Sequence, residues 1–293
     1  MNYRHLYHAG NFADIFKHVA LIFCLEKLQE KETPFFVLDT HAGAGKYDLT
    51  SEEAIKTSEA LDGIQTFLKT RDFNDLNLLN YIKILAKINS YQTDYKNNLA
   101  NYKNFTELKF YPGSPYIIQY FLRPQDHAIF AEIKKEEFVR LKRNFAGNKK
   151  FHSLNVDGFS LLKSKLPPLE KRGLILIDPA FDKGENLISD DYEKIVTSLK
   201  DAQKRFAHGI YLAWHPIINK EGEQEILQKF YKEMAVLKFS EISHIIFSDD
   251  KRDATYKMHS CGLFVVNAPW GFVEKLKSVF GEKIKIKDIK NAK

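Results

Sequence analysis

Apolar positions along the chain follow two rhythms in turn. Phe12, Ile15, Phe16, Val19, Ile22, Phe23 and Leu28 recur near helical spacing and predict a helix. Next comes "ETPFFVLDTHAGAG", where Phe35 to Leu38 run into Asp39 and a glycine loop, the pattern of a buried strand and its turn. From about residue 50 the strand rhythm stops. Ile55, Leu61, Ile64, Phe67 and Leu68 predict one helix, and Leu78, Leu79, Ile82, Leu85 and Ile88 another. Residues 51–111 therefore read as a helical insertion, with no strong strand inside it.

Alternation resumes at "YPGSPYIIQYFL", where Ser114 suits a helix cap and Pro115 a first turn. "HAIFAE" predicts a strand ending at Glu132, followed by a helix over about 134–145. "HSLNVDG" predicts a strand ending at Asp157, then a helix over 160–166 that Pro167-Pro168 stops. "GLILIDPAF" is the next strand, followed by a helix over about 190–207, the strand "GIYLAW" and a helix over about 221–237. "EISHIIF" and "SCGLFVVN" close the pattern as an antiparallel pair. Strands alternating with helices imply an α/β fold with a mostly parallel sheet and right-handed crossovers. Ligands on such sheets bind beyond the carboxyl ends of the strands. Asp39, Glu132, Asp157 and Asp178 all fall at such ends. One acid there is ordinary turn chemistry; four on successive strands would gather around one crevice.

Composition narrows the class. With 293 residues, 44% of them hydrophobic, the chain can build a sizeable core in one large domain or two small ones. Cys24 and Cys261 lie far apart and match no CxxC or metal-ligand spacing, so a reducing compartment and no zinc site are expected. The polar start "MNYRHLYHAGN" predicts no secretory signal, and Val19 to Leu25 is too short for a membrane span of roughly 20 residues. The expectation is a soluble cytoplasmic protein without metal or membrane attachment. A net charge of +6 permits a nucleic-acid partner without establishing one. "RLKRNFAGNKK", Arg140 to Lys150, holds five cations and no acid, and the tail "KIKIKDIKNAK" is also basic. Taken alone, each reads as a solvated face or a frayed end.

The loop "DTHAGAGKY" fails as a P-loop at both Thr40 and Tyr47. It fails as a dinucleotide fingerprint because Asp48 stands where a third glycine is required, which weakens an oxidoreductase reading. A strand-end acid followed by Gly43 and Gly45 suits close backbone approach to an adenosine-bearing cofactor that lacks a pyrophosphate. Asp178 and the Pro179 carbonyl offer two acceptors to an exocyclic amine with two N–H donors, such as N6 of adenine. Holding both directs the nitrogen lone pair toward an electrophile. Phe181 offers an aromatic face for a base taken out of its stack.

"HAGNFADIFKH" (His8 to His18), "LDTHAGAGKY", "YPGSP", "VDGF" and "RGLILIDPAF", in that order, resemble the bacterial RlmJ family. These are large-subunit (23S) ribosomal RNA adenine-N6 methyltransferases that use S-adenosylmethionine. The resemblance runs to "VVNAPW" (Val265 to Trp270) and is weakest in the insertion and the tail. It implies a Rossmann-like methyltransferase fold, mostly parallel with a late antiparallel strand, in a single domain over 1–293 with 51–111 inserted. It further implies catalysis by Asp178, Pro179 and Phe181. Cofactor contacts would come from His18, His41, Ser114, Glu132 on the ribose hydroxyls, Asp157 and Gly158 on the adenine, and Asp178. Tyr3, His5 and Lys17 would lie near the target nucleotide. The partner would be 23S rRNA, free or in an assembly intermediate, and the protein a monomer.

Ala180 departs from the family's D-P-P-[YF] motif, which has proline there. Alanine keeps the carbonyl and can adopt the same φ, so some preorganisation is lost and the acceptor geometry is kept. Other readings are an adenine-N6 methyltransferase for DNA, an enzyme for another amino group such as a glutamine amide, and a non-catalytic RNA-binding relative.

Overall fold

The computed structural model describes residues 5–70, 75–90, 108–181, 190–218, 223–249 and 258–287. Helix α1 (Phe12–Gln29) begins at Asn11, whose side chain accepts the Asp14 N–H at 2.9 Å. It is buried on nearly every face, as its almost continuous apolar sequence requires. Strand β1 (Phe36–Asp39) follows, then β2 (Lys46–Asp48) and α2 (Glu52–Thr57). A π-helical turn, Leu61–Gln65, leads into α3 (Thr66–Lys69), and α4 (Leu79–Ile88) precedes β3 (Phe110–Pro112). The regular alternation then runs α5 (Ser114–Phe121), β4 (His127–Ala131), α6 (Lys135–Asn144), β5 (His152–Leu154), α7 (Gly158–Lys165) and β6 (Gly173–Ile177). It ends with α8 (Asp191–Arg205), β7 (Ile210–Ile218), α9 (Glu223–Ala235), β8 (Ile242–Ser248), β9 (Met258–Val266), α10 (Phe272–Phe280) and β10 (Ile284–Lys287).

The main sheet has the order β10-β8-β9-β7-β6-β1-β4-β5. Strands β5, β4, β1, β6 and β7 are parallel, while β9 runs antiparallel between β7 and β8. The mostly parallel α/β architecture with a late antiparallel strand is thus present. One core layer packs α1, α4, α5 and α10 on the sheet, through Phe16, Leu21, Tyr81, Ile118 and Leu276. The other packs α7, α8 and α9 on the opposite face, through Leu162, Leu199 and Phe230.

The helices between β2 and β3 join the first layer and grip the turn that precedes α1. Glu59 bonds His8 Nδ1 and accepts from Asn11 Nδ2, both at 2.9 Å. The Ile64 N–H donates to the Gly10 carbonyl at 2.8 Å. A Cβ at Gly63 would lie 2.1 Å from that carbonyl oxygen, so the approach requires glycine.

Four details differ from the sequence reading. Phe110–Pro112 is a strand, paired antiparallel with Lys46–Asp48 and too short to show alternation. Gly113, not Ser114, is the N-cap of α5. Strand β5 ends at Leu154, and Asp157 caps α7. The tail is not simply frayed, since β10 pairs with β8.

Candidate active site

Because β5, β4, β1 and β6 are neighbours, their carboxyl ends bring the four acids to one edge of the sheet. They differ in what they meet there. Asp39 is fully buried, with the His41 N–H 3.4 Å from Oδ1. Burial is the main reason its pKa is pushed up to about 7; a hydrogen bond from Ser114 opposes this, and Asp178 adds to it. The Ser114 hydroxyl, free of a capping role, therefore serves the acid behind the glycine loop. Oδ2 of Asp39 has no hydrogen-bond partner among the described residues.

Glu132 lies at the next strand end. Its Oε2 accepts the Gly43 N–H at 2.9 Å and its Oε1 the Lys134 N–H at 2.7 Å. Burial raises its pKa, and the two N–H donors oppose that shift. Gly43 has φ +59°, and a Cβ there would lie 2.3 Å from the Tyr47 hydroxyl. The loop is thus folded tightly enough to turn its amide onto the carboxylate. Asn144 Nδ2 donates to the Ala44 carbonyl at 2.9 Å and fixes the end of α6 beside the loop. Lys142, Arg143, Lys149 and Lys150 are exposed around that end.

Asp178 follows β6 and meets α1. Its Oδ2 accepts from Lys17 Nζ, which also donates to Asp14 Oδ1 at 3.0 Å. Asp14 Oδ2 in turn takes the Gly10 N–H and bonds His5 Nε2, each at 3.0 Å. Burial opposes both charges, yet the partners win: the Lys17 pKa is raised and that of Asp14 lowered. His18 bonds the Tyr111 hydroxyl at 2.9 Å, and burial pushes its pKa down to about 3. Burial likewise lowers His41 to about 3, and its Nδ1 meets Thr40 Oγ1 at 2.8 Å. Both rings are neutral at pH 7.

A pocket of about 660 Å³, its open mouth included, joins these groups. His5, Lys17, His18 and His41 line it, together with Ser114, Glu132, Asp178 and Ala180. Four expected residues within the described part of the chain lie outside its lining. Asp157 is exposed, with Oδ1 taken by the Phe159 N–H at 3.1 Å. Gly158 is pinned under Thr40, whose carbonyl oxygen would stand 1.8 Å from an added Cβ. Phe181, at φ +48°, rests its ring against Tyr192 at 4.8 Å and Trp214 at 5.8 Å. Pro179 is buried behind Asp178, and Tyr3 lies outside the described residues.

Sequence reasoning missed Asp14, Tyr47 and Glu137. Asp14 was detectable, since it stands three residues before Lys17 on a predicted helix and so shares its face. Tyr47 and Glu137 also line the pocket, but they had no such signal. Among the described residues, no group of three or more His, Cys, Asp or Glu could hold a metal ion. No helix there is long and apolar enough to cross a membrane.

Comparison with known proteins shows the family. The family described as "Ribosomal RNA large subunit methyltransferase D, RlmJ" matches residues 32–282. Ribosomal RNA large subunit methyltransferase J of Escherichia coli is 33% identical over 279 residues, covering 95% of this chain and 91% of that protein. Its counterpart in Haemophilus influenzae is 34% identical over 280 residues, with the same coverage. A crystal structure of a Legionella pneumophila protein is 31% identical and superposes with a TM-score of 0.75, covering 96% of this chain and 97% of its own. The chain belongs to the RlmJ family of large-subunit ribosomal RNA methyltransferases.

Proposed function

We propose that this chain uses S-adenosylmethionine to methylate N6 of an adenine in 23S ribosomal RNA. The observation that carries the reading is Asp178, which lines, with Ala180, the same pocket as Glu132 and the glycine loop, Pro179 standing between them in sequence.

The residues fit the cofactor. Each Glu132 oxygen accepts one backbone N–H and keeps a lone pair, which suits two ribose hydroxyls. Asp157 keeps Oδ2 for an adenine amine while Oδ1 caps α7. His18, His41 and Ser114 line the space between. When bound, the cofactor supplies a methyl group on a sulfonium, and the protein has to aim a nucleophile at it.

Asp178 performs the aiming. One of its oxygens is held by Lys17, and the other remains for one N–H of the exocyclic amine, while the Pro179 carbonyl takes the second. The amine lone pair is then free to attack, and the negative carboxylate favours the charge that grows on nitrogen. His5 and Lys17 stand at the pocket wall near the incoming base, with Tyr3 just upstream in sequence. Phe181, braced by Tyr192 and Trp214, presents its half-exposed ring at the loop's end. The exposed cations of the α6 end suit RNA phosphates and make binding salt-dependent. In this reading the protein works in the cytoplasm as a single-domain monomer, with 51–111 inserted, on free rRNA or an assembly intermediate.

The test uses 23S rRNA from a strain lacking this protein, incubated with the chain and labelled cofactor, then digested to nucleosides. N6-methyladenosine is expected from the wild-type protein. Asp178→Ala should lower the rate at least about 100-fold and keep cofactor binding. Label on DNA or a protein amide alone, or none with cofactor bound, overturns the reading.

A further inference from the structure

Lys17 is an unexpected neighbour for a carboxylate that must favour a nitrogen gaining positive charge. Lys17 is only 5% exposed, and its ammonium donates directly to Asp178. That pair alone sums to zero charge and would offer the amine little field. Asp14 changes the sum. It is 2% exposed, sits in the first turn of α1 and accepts from the same ammonium at 3.0 Å. Asp14, Lys17 and Asp178 together set two carboxylates against one ammonium, one net negative charge.

Asp14 does not line the pocket. Its second oxygen is anchored by the Gly10 N–H and His5 at 3.0 Å each, and the Asn11 side chain holds its own backbone N–H at 2.9 Å. The turn that supplies those anchors is gripped by Glu59 and Ile64 of the inserted segment. A buried acid with this many anchors is placed firmly, and its path to the reacting groups runs through Lys17.

We infer that Asp14 is a positioning residue for catalysis: it fixes Lys17 Nζ against Asp178 and cancels its charge, leaving the cluster net negative toward the attacked amine. The inference rests on the proposed methyl transfer and gives the inserted segment a task, since that segment holds the turn on which Asp14 depends. Asp14 and Lys17 are almost fully buried, so a charge there acts at low screening.

The test compares wild type, Asp14→Asn, Lys17→Met and the double variant. It reads kcat and KM for 23S rRNA, and cofactor Kd by calorimetry. Asp14→Asn keeps the side-chain shape and removes the charge. It should lower kcat about 10- to 100-fold while rRNA KM and cofactor Kd stay within about threefold. In the Lys17→Met background, the same change should alter kcat less than about twofold, because the cation that Asp14 answers is gone. That second comparison sets Lys17→Met against the double variant, so it stands even where Asp14→Asn alone fails to fold. Losses that multiply in the double variant overturn the inference, as does a fall in cofactor affinity parallel to kcat. Wild-type protein that leaves adenine unmethylated counts instead against the reading on which the inference rests.

Discussion

Two buried polar clusters lie on opposite faces of the sheet, and they behave differently. On the α1 face, Asp14 and Lys17 answer one another's charge, Lys17 also donates to Asp178, and the cluster opens into a pocket. On the α9 face, His215 and His244 meet Nε2 to Nε2 at 3.0 Å, both fully buried. Phe230, Tyr231 and Phe264 pack around them. His215 Nδ1–H donates to the Pro216 carbonyl at 3.1 Å, so its Nε2 accepts from His244. His244 Nδ1 then has no hydrogen-bond partner among the described residues. Burial pushes the pKa of His215 down to about 4 and that of His244 to about 2, so both rings stay neutral. A strongly shifted pKa is therefore a poor guide to function by itself. Opposed charges beside an opening distinguish the working cluster from the structural one.

If this contrast is sound, damage on the pocket side should impair binding or turnover and spare the fold, and damage on the sealed side should do the reverse. The largest effect expected is from Glu132→Ala. Losing the carboxylate on the glycine loop should weaken cofactor binding about 10- to 100-fold by calorimetry, with a melting temperature near wild type. A normal Kd would remove Glu132 from the cofactor site. Next is Gly262→Ala, whose added Cβ would lie 2.1 Å from His215 Nε2 and 2.7 Å from that of His244. It should cost about 1–3 kcal/mol in urea unfolding while cofactor Kd is unchanged. Loss of cofactor binding in still-folded protein would link the histidines to the site and break the contrast.

The smallest effect concerns acid. Both histidines have folded pKa values depressed below the ordinary 6.5, so the unfolded chain binds their protons first. Their contribution is complete above pH 6.5 and is lost as pH falls toward about 4, where His215 titrates in the folded state. Asp39 works in the opposite sense, since its raised pKa lets the folded state bind a proton first. His215→Phe/His244→Phe should therefore show a shallower loss of melting temperature between pH 6.5 and 4 than wild type. An identical slope would mean that the pair is not neutral in the native state.

Most of the layered fold was legible because its elements are long and periodic. The span of α1 and the alternation from Ser114 to Val266 follow from the spacing of apolar residues. Order along the sheet was less legible. Nothing local says that β9 slips between β7 and β8, because pairing is decided by packing far along the chain. The short pair β2–β3 was missed because three residues cannot display a period. At the site, the acids at strand ends were visible, and so was the Asp178-Pro179 step. Asp157 was expected as the end of a strand and is instead a helix cap, because a short edge strand stops before the acid arrives. Partnerships were the least visible. Lys17 and Asp178 stand 161 positions apart, and only the docking of α1 onto β6 unites them.

The edges of the sheet have a consequence for the molecule in a crowded cell. A bare strand edge is a template on which another chain can add itself. At one side the sheet stops at β5, only His152–Leu154 long, which offers little to copy. At the other it stops at β10, where Lys285 and Lys287 are exposed on Ile284–Lys287. An incoming strand would have to set its own side chains beside those ammonium groups. The basic tail, which in sequence looked like solvated ballast, therefore ends the sheet in a form that resists growth into aggregates.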